Sequence, residues 1–221
     1  MPAEAPPVRL EGASLRYPKP SPADAVALHE VDFRLPRGRL VVLAGPNGSG
    51  KTTLLRLVAG DLVPTSGTVR VFGEDPARRT AALRRRVAYV AQALALDPEM
   101  TAGETFDLFA SLGGGSRDEA ADAFGLSAHL DKRVARLSGG LKRRLHVAVG
   151  LLGERELLLL DEPDSGLDAE GQARLWALLA KRCSAGAAAL VATHDPDVGK
   201  GRADRVLRME GGRLAGRKED A

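Results

Sequence analysis

The sequence is poor in cysteine and in aromatic residues. Cys183 is the single cysteine among 221 residues, so it has no partner for an internal disulfide, and nothing around it suggests a metal site or a nucleophile. We expect an inert thiol in a reducing compartment. Phe, Trp and Tyr make up 4% of the residues, which argues against a surface that stacks the bases of single-stranded nucleic acid.

Long apolar runs and a strong excess of one charge are missing as well. No uninterrupted apolar stretch approaches the ~20 residues that a membrane-spanning helix needs, and the N-terminal residues lack the apolar core of a signal peptide. We therefore expect a soluble, cytoplasmic chain that acts at a membrane only through another subunit. The net charge is +3, and we interpret the basic clusters at 84–86 and 142–144 as solvated helix faces, which argues against nucleic acid as a partner.

Short apolar runs alternate with helical patterns along the chain. Apolar and β-branched residues predict strands near 8–17, 26–35, 40–44, 68–72, 87–91, 157–160 and 188–192. Helices are predicted near 50–59 and 169–181, and a hairpin is predicted around 210–212. Such alternation indicates an α/β fold with a mostly parallel sheet, to which the two N-terminal strands add an antiparallel part. A Pro-rich segment at 18–25 predicts the loop between these two strands.

The middle of the chain, from about 93 to 152, is predicted to be helical. The glycines at 113–115 indicate a break between two helices, and Ser116 with Glu119 has the spacing of a capping box. We predict a single domain over 1–221. In it, 1–91 and 153–221 form the α/β core, and 92–152 form an inserted helical subdomain.

A glycine-rich segment from Gly45 to Thr53 carries the strongest functional signal. It satisfies the pattern G-x-x-x-x-G-K-[ST] between an apolar strand and a helix, the context that a phosphate-binding P-loop requires. Glycines allow the backbone to wrap around phosphates, and the helix adds unsatisfied amides and the positive end of its dipole. Lys51 would neutralise the β- and γ-phosphates, and the Thr52 hydroxyl would bind Mg²⁺. The alternative is an ordinary glycine-rich turn.

An acidic pair follows another apolar strand. Asp161 and Glu162 come directly after the leucines at 157–160, and such a strand delivers carboxylates to the edge where open α/β sheets bind ligands. Asp161 would hold Mg²⁺ through water, and Glu162 would polarise the water that attacks the γ-phosphate. The pair could instead cap the following helix.

A third segment of functional interest is the short stretch at 137–140, which precedes a helical run. Its Ser138 lies 23 residues before Asp161. Ser138, Gly139 and Gly140 resemble the signature motif of the ATP-binding-cassette (ABC) ATPases, and the resemblance extends over nearly the whole chain. It implies a P-loop NTPase core. In that family two subunits pair head to tail, and each ATP lies between one P-loop and the partner's signature. The resemblance therefore implies that these three residues contact the partner's ATP.

The resemblance implies roles for four further residues. Gln92 is similar to the Q-loop glutamine, a contact for water or Mg²⁺ and a hinge, and His194 to the switch histidine that binds the γ-phosphate and positions water. Asp168 is similar to the D-loop aspartate at the dimer interface, and Tyr17 to an aromatic residue that stacks on adenine. Each has a plainer alternative. Gln92 could be a surface residue and His194 a structural histidine. Asp168 could be a helix N-cap, and Tyr17 could pack within its strand.

The implied sites comprise three sets. The nucleotide-binding residues are Tyr17, Gly45, Pro46, Asn47, Gly48, Ser49, Gly50, Lys51, Thr52 and Thr53. The catalytic residues are Lys51, Glu162 and His194. The magnesium contacts are Thr52, Gln92 and, through water, Asp161. We interpret the remaining histidines, His29, His129 and His146, as structural.

The resemblance implies a subunit that hydrolyses ATP as a dimer around two Mg·ATP and drives a separate membrane permease, which would contact residues 92–112. The segment SGGLKRRL resembles exporter subunits, including drug and polyketide exporters. Leu141 departs from the family, which usually has Gln there, so the rate or affinity would be tuned differently. Two alternatives stay open. One is a soluble ABC ATPase acting on nucleic acid or ribosomes, and the other is a module that holds ATP without turnover.

Overall fold

The computed structural model describes residues 5–17, 26–93, 96–195 and 197–215, so the predicted loop at 18–25 lies outside the described residues. The strands are β1 (Val8–Arg16), β2 (Val26–Leu35), β3 (Leu40–Ala44), β4 (Ser66–Val71), β5 (Val87–Val90), β6 (Leu157–Asp161), β7 (Ala188–Thr193), β8 (Arg205–Glu210) and β9 (Arg213–Ala215). The helices are α1 (Lys51–Val58), α2 (Ala81–Arg86), α3 (Ala102–Gly113), α4 (Arg117–Ala123), α5 (Gly139–Gly150) and α6 (Ala169–Ser184). Each predicted strand is confirmed.

The larger sheet has the strand order β5-β6-β7-β3-β8-β9. Its neighbours pair in parallel from β5 to β8, and β9 pairs antiparallel to β8 as the predicted hairpin. Strands β3, β6 and β7 are buried at every position, which explains their nearly continuous apolar sequences. Because the parallel strands end at one edge of the sheet, the residues that follow β3, β5, β6 and β7 meet there.

The smaller sheet is antiparallel, with the order β2-β1-β4, as predicted for the N-terminal strands. Helix α1 packs between the two sheets. Its buried Leu54 and Leu57 belong to one apolar cluster with Phe33 of β2 and Leu159 of β6. Burial on two sides fixes the start of α1, and therefore the loop that leads into it.

Helices α3, α4 and α5 follow β5 and precede β6 along the chain, where a helical region was predicted. The glycine-rich break separates α3 from α4, and the Ser116 side chain caps α4 by accepting the amide of Glu119 at 3.3 Å, which is one of the two hydrogen bonds of the predicted capping box. A reciprocal capping box forms one helix earlier, at Thr101 and Glu104. Among the described residues, no helix combines the length and apolar character needed to cross a membrane.

The interpretation of both basic clusters as solvated faces is wrong in part. Arg84 is exposed, but Arg86 on α2 forms an ion pair with Glu156 and lies 3.7 Å from the ring centroid of Phe72. The hydrogen bond from Arg86 is the main reason that the pKa of Glu156 falls to about 2. On α5, Arg143 is only 5% exposed and Arg144 only 6% exposed. Their side chains find partners inside the fold, so charge alone did not predict exposure.

Candidate nucleotide-binding site

Four strand ends of the larger sheet bring the predicted site residues together. Gly45 follows β3, Gln92 lies beyond β5, Asp161 ends β6, and His194 follows β7. Backbone hydrogen bonds continue between these ends, since the Gly45 amide donates to the carbonyl of Thr193 at 3.2 Å. Residues more than 140 positions apart in the sequence are thereby held side by side.

The P-loop needs glycine at specific positions. Gly48 has φ 78° and Gly50 has φ 105°, which is the left-handed region that favours glycine. A Cβ on Gly45 would lie 2.1 Å from the carbonyl oxygen of Met209, and one on Gly50 would lie 2.5 Å from that of Ala27. The loop is therefore wedged against the backbone of two other segments, which fixes its shape.

Lys51 is the first residue of α1, and its side chain points back into the loop. It is 5% exposed, and its Nζ donates to the carbonyl oxygens of Gly45 at 2.7 Å and Pro46 at 3.0 Å. The same Nζ lies 3.9 Å from Oε1 of Glu162. A buried cation thus occupies the centre of a loop whose amides and helix dipole favour an anion.

A cavity of ≈ 440 Å³ opens beside this lysine. Its walls comprise P-loop residues 47–53 together with Tyr17, Ala27, Gln92 and Glu162. The half-buried Tyr17 is held by a 3.2 Å hydrogen bond between its hydroxyl and Oγ1 of Thr53. That contact places the tyrosine at the cavity wall, and its stacking on adenine stays a prediction.

Asp161 is 1% exposed, and its Oδ1 has no hydrogen-bond partner among the described residues. Burial raises the pKa of Asp161, while a hydrogen bond with Thr52 opposes that rise. A buried, unpaired carboxylate oxygen beside an exposed hydroxyl fits a hard cation such as Mg²⁺. In the described part of the chain, no cluster of three His, Cys, Asp or Glu side chains could hold a metal. Mg²⁺ needs no such cluster, because proteins often bind it through one or two carboxylates together with substrate phosphates.

Glu162 has a strained backbone and a confined side chain. Its φ is 48°, which is uncommon for a residue with a Cβ, and its side chain is 8% exposed. Nδ1 of His194 donates to Oε2 of this carboxylate at 2.6 Å. The hydrogen bond raises the pKa of His194 above its usual value. A histidine therefore contacts a carboxylate that lines the cavity.

We expect His194 and His146 to titrate at different pH values, because their pKa values shift in opposite directions. Because Glu162 stabilises the protonated imidazole, His194 should titrate above 6.5, whereas burial lowers the pKa of His146 below 6.5. The ion pair adds to the free energy of unfolding at lower pH, and this contribution is lost as the pH rises through the raised pKa of His194. Long-range ¹H–¹⁵N NMR spectra would resolve both rings. In Glu162→Gln the His194 midpoint should return toward 6.5 while that of His146 stays in place.

The signature residues lie at the start of α5 and not in the cavity wall. Ser138 is the N-cap and accepts the amide of Leu141 at 3.3 Å. A Cβ on Gly139 would meet nothing within 4 Å, and one on Gly140 would meet only the Gly166 carbonyl oxygen at 3.8 Å. Leu141 packs against the apolar core, which gives this departure from the family a structural role.

Asp168 caps α6, which is the plainer of its two predicted roles. Its carboxylate accepts the amide of Gly171 at 3.1 Å and forms a 2.5 Å ion pair with Arg144. The hydrogen bond from Arg144 lowers the pKa of Asp168. Its contact with a second subunit stays a prediction.

A sequence profile described as "ABC transporter" matches residues 28–165, more than half of the chain. The chain belongs to the ABC transporter family. It is 36% identical to the daunorubicin resistance ATP-binding protein DrrA3 of Streptomyces coeruleorubidus, over 94% of this chain and 66% of that protein. It is also 36% identical to the Nod factor export ATP-binding protein I of Sinorhizobium fredii, over 86% of this chain and 57% of that one. The chain thus spans about three fifths of the length of these relatives.

Solved ABC structures have the same fold. A structure of the ATP-binding subunit of an ABC transporter superposes with a TM-score of 0.82 at 27% identity, covering 95% of this chain and 88% of that one. The dimeric ABC transporter cassette MJ0796 also gives 0.82, at 23% identity and over 95% of this chain and 97% of that one. The predicted α/β fold with a P-loop NTPase core is therefore confirmed.

Two side chains of α5 in this ABC chain contact the site, and the sequence did not predict their partners. Arg143 donates to the backbone carbonyl oxygens of Gln92 and Glu162. Nε2 of His146 lies 2.9 Å from the backbone carbonyl oxygen of Ala91. The interpretation of His146 as structural agrees with this contact. The available signal was helical spacing, because Arg143 lies four residues before the buried Val147 and therefore on the same side of α5.

Proposed function

We propose that the chain is the ATP-binding and ATP-hydrolysing subunit of an ABC transporter. The observation that carries this proposal is the convergence of Lys51, Asp161, Glu162 and His194 on one phosphate-binding loop, with Lys51 Nζ 3.9 Å from Glu162 Oε1. A cation that meets the phosphates and a carboxylate that accepts a proton from water are the groups that phosphoryl transfer to water requires.

The roles follow from position. Lys51 neutralises charge on the β- and γ-phosphates, and its present carbonyl partners would release it when phosphate enters the loop. Glu162 accepts the proton of the attacking water, and His194, 62% exposed beside it, donates to the γ-phosphate. Thr52, Gln92 and, through water, Asp161 would hold Mg²⁺, which supplies charge neutralisation and orients the phosphates when bound.

The signature residues support a dimer with shared sites. Gly139 and Gly140 lie in helical conformation at the start of α5, and neither has the positive φ that requires glycine. No close neighbour in the monomer requires glycine at either position, since an added Cβ would meet nothing nearer than 3.8 Å. Close approach of a γ-phosphate from a second copy supplies a reason, because glycine lets a ligand reach the amides at a helix N-terminus.

The names of the relatives support export through a separate membrane permease. Resistance to a drug and export of Nod factor are the roles those names give to proteins that this chain resembles. Within the predicted contact region 92–112, Leu108 and Leu112 lie one turn apart on α3 and are 44% and 78% exposed. Exposed leucines on one helix side are suited to an apolar segment of the permease. The chain would then lie on the cytoplasmic face of the membrane.

Two measurements test this proposal. Tagged protein purified from native membranes in mild detergent should bring along a multi-span membrane protein at about one to one, identified by mass spectrometry. Recovery with ribosomal or nucleic-acid partners from the soluble fraction would contradict the transport role and leave the ATPase role intact. A phosphate-release assay with Mg·ATP tests turnover directly, and ATP binding without phosphate release would make the chain a regulatory ATP-binding module.

A further inference from the structure

Arg143 joins three parts of the site through one side chain. It lies on α5, five residues after Ser138, and is 5% exposed. Its Nη1 donates to the carbonyl oxygen of Gln92 at 2.8 Å, and its Nη2 donates to that of Glu162 at 2.5 Å. A planar guanidinium with two donors in fixed geometry therefore links the signature helix to the residues that follow β5 and β6.

A second side chain of α5 strengthens the link to the segment after β5. His146 lies three residues beyond Arg143 and therefore next to it on the same side of the helix. Its Nε2 lies 2.9 Å from the carbonyl oxygen of Ala91. Successive carbonyl groups, those of Ala91 and Gln92, are thus held from the same helix. Any displacement of α5 relative to the sheet must move this segment or break both contacts.

The contact with Glu162 bears on the direction of its carboxylate. A residue with a Cβ at φ 48° is strained, and such strain persists only where surrounding contacts hold it. The Glu162 amide donates to the carbonyl oxygen of Ala192 at 2.9 Å, and its own carbonyl accepts from Arg143. These contacts hold the backbone on both sides of the Cα atom from which the carboxylate projects.

The setting of Arg143 is costly for a residue that only stabilises the fold. Its Nε is buried and has no hydrogen-bond partner among the described residues. Burial lowers the pKa of Arg143, and the carboxylates of Asp164, Asp161 and Glu162 oppose that shift. A buried polar atom left unsatisfied costs free energy, and in native proteins such atoms are uncommon enough to require an explanation.

We propose that Arg143 is a positioning residue for ATP hydrolysis. Because its side chain binds the carbonyl groups of Gln92 and Glu162, it couples the backbone position of Glu162 to the positions of the signature helix α5 and of the Gln92 segment. The inference rests on the function proposed above. It means that a shift of α5, which carries the residues expected to meet the partner's ATP, reaches the general base through one side chain. Arg143 need not touch the nucleotide to do so.

The test compares two arginines that each bind two backbone carbonyls. Arg182 donates to the carbonyl oxygens of Gly153 at 2.6 Å and Leu151 at 3.4 Å, away from the cavity, so Arg182→Met is the matched control. For Arg143→Met we expect kcat to fall about 10²-fold while KM for Mg·ATP stays within about threefold. Arg182→Met should keep kcat even where its melting temperature falls. Equal kcat losses in both variants, or KM rising in step with the loss of kcat, would overturn the positioning role.

A double variant asks whether Arg143 acts through Glu162. Adding Arg143→Met to Glu162→Gln should lower kcat little further, because the base it positions is already gone. A fully multiplicative loss contradicts the proposal. If Arg143→Met does not fold, Arg143→Lys replaces it, since lysine keeps the charge but cannot hold both carbonyls in a fixed fork. Wild-type kcat in that variant overturns the positioning role, whereas a wild-type protein without ATP hydrolysis contradicts the proposed function itself.

Discussion

Replacing Glu162 with Gln is expected to lower the rate of ATP hydrolysis about 10²–10⁴-fold while ATP binding is retained. The amide has the size of the carboxylate but cannot accept a proton from water. The position is confined, because Lys51 Nζ lies 3.9 Å from one oxygen and His194 Nδ1 lies 2.6 Å from the other. The substitution should therefore change the chemistry at this position more than the geometry. Glu154→Gln, in the exposed segment before β6, is the matched control and should hydrolyse ATP like the wild type.

The same variant should accumulate as a dimer with ATP. If hydrolysis is what separates the two subunits, a protein that binds two ATP molecules without cleaving them remains paired. Gel filtration with and without excess Mg·ATP measures this directly, and the dimer should disappear when ATP is replaced by ADP. A Glu162→Gln protein that stays monomeric with excess ATP contradicts the shared-site assignment. One that hydrolyses ATP at the wild-type rate contradicts the role of Glu162 as the base.

The core strands could be predicted because burial on both faces leaves a plain trace in the sequence. Segments such as Leu40–Ala44 and Ala188–Thr193 are apolar at nearly every position, and the structure buries all of them. Helix α2 left no such trace. It has six residues, three of which are arginines, and its buried side chain is Leu83. A helix this short depends on its Thr80 cap and its tertiary contacts more than on apolar periodicity.

The site was predictable where its chemistry depends on particular side chains at fixed spacing. The P-loop glycines, Asp161 and Glu162 are of this kind, and the parallel sheet brings them to one edge. The contacts of Arg143 could not be predicted in this way, because its partners are backbone carbonyls, which every residue has. Arg144 and Asp168 illustrate the same limit. Their pairing across 24 positions satisfies a buried guanidinium, whereas the run of charge by itself suggested solvent.

Gly139→Asp is expected to abolish ATP hydrolysis, with a loss of more than about 100-fold, without harming the monomer. The new Cβ would meet no atom within 4 Å, and an acidic side chain in the first turn of α5 interacts favourably with the helix dipole. The melting temperature and the affinity of the monomer for ATP should therefore be retained. In a dimer the carboxylate would face the partner's γ-phosphate and repel it. Gly139→Asn separates the effect of this charge from that of size.

Mixing this variant with Lys51→Met decides whether the sites are shared between copies. Lys51→Met alone should also lose hydrolysis by more than about 100-fold, because it removes the cation from the P-loop. In a mixed dimer one site combines both defects, while the other combines the intact P-loop of one copy with the intact signature of the other. An equal mixture should then regain about a quarter of the wild-type rate, since half of the dimers are mixed and each has one intact site. No recovery in a mixture shown by native mass spectrometry to contain mixed dimers would mean that Gly139 acts on the nucleotide of its own chain.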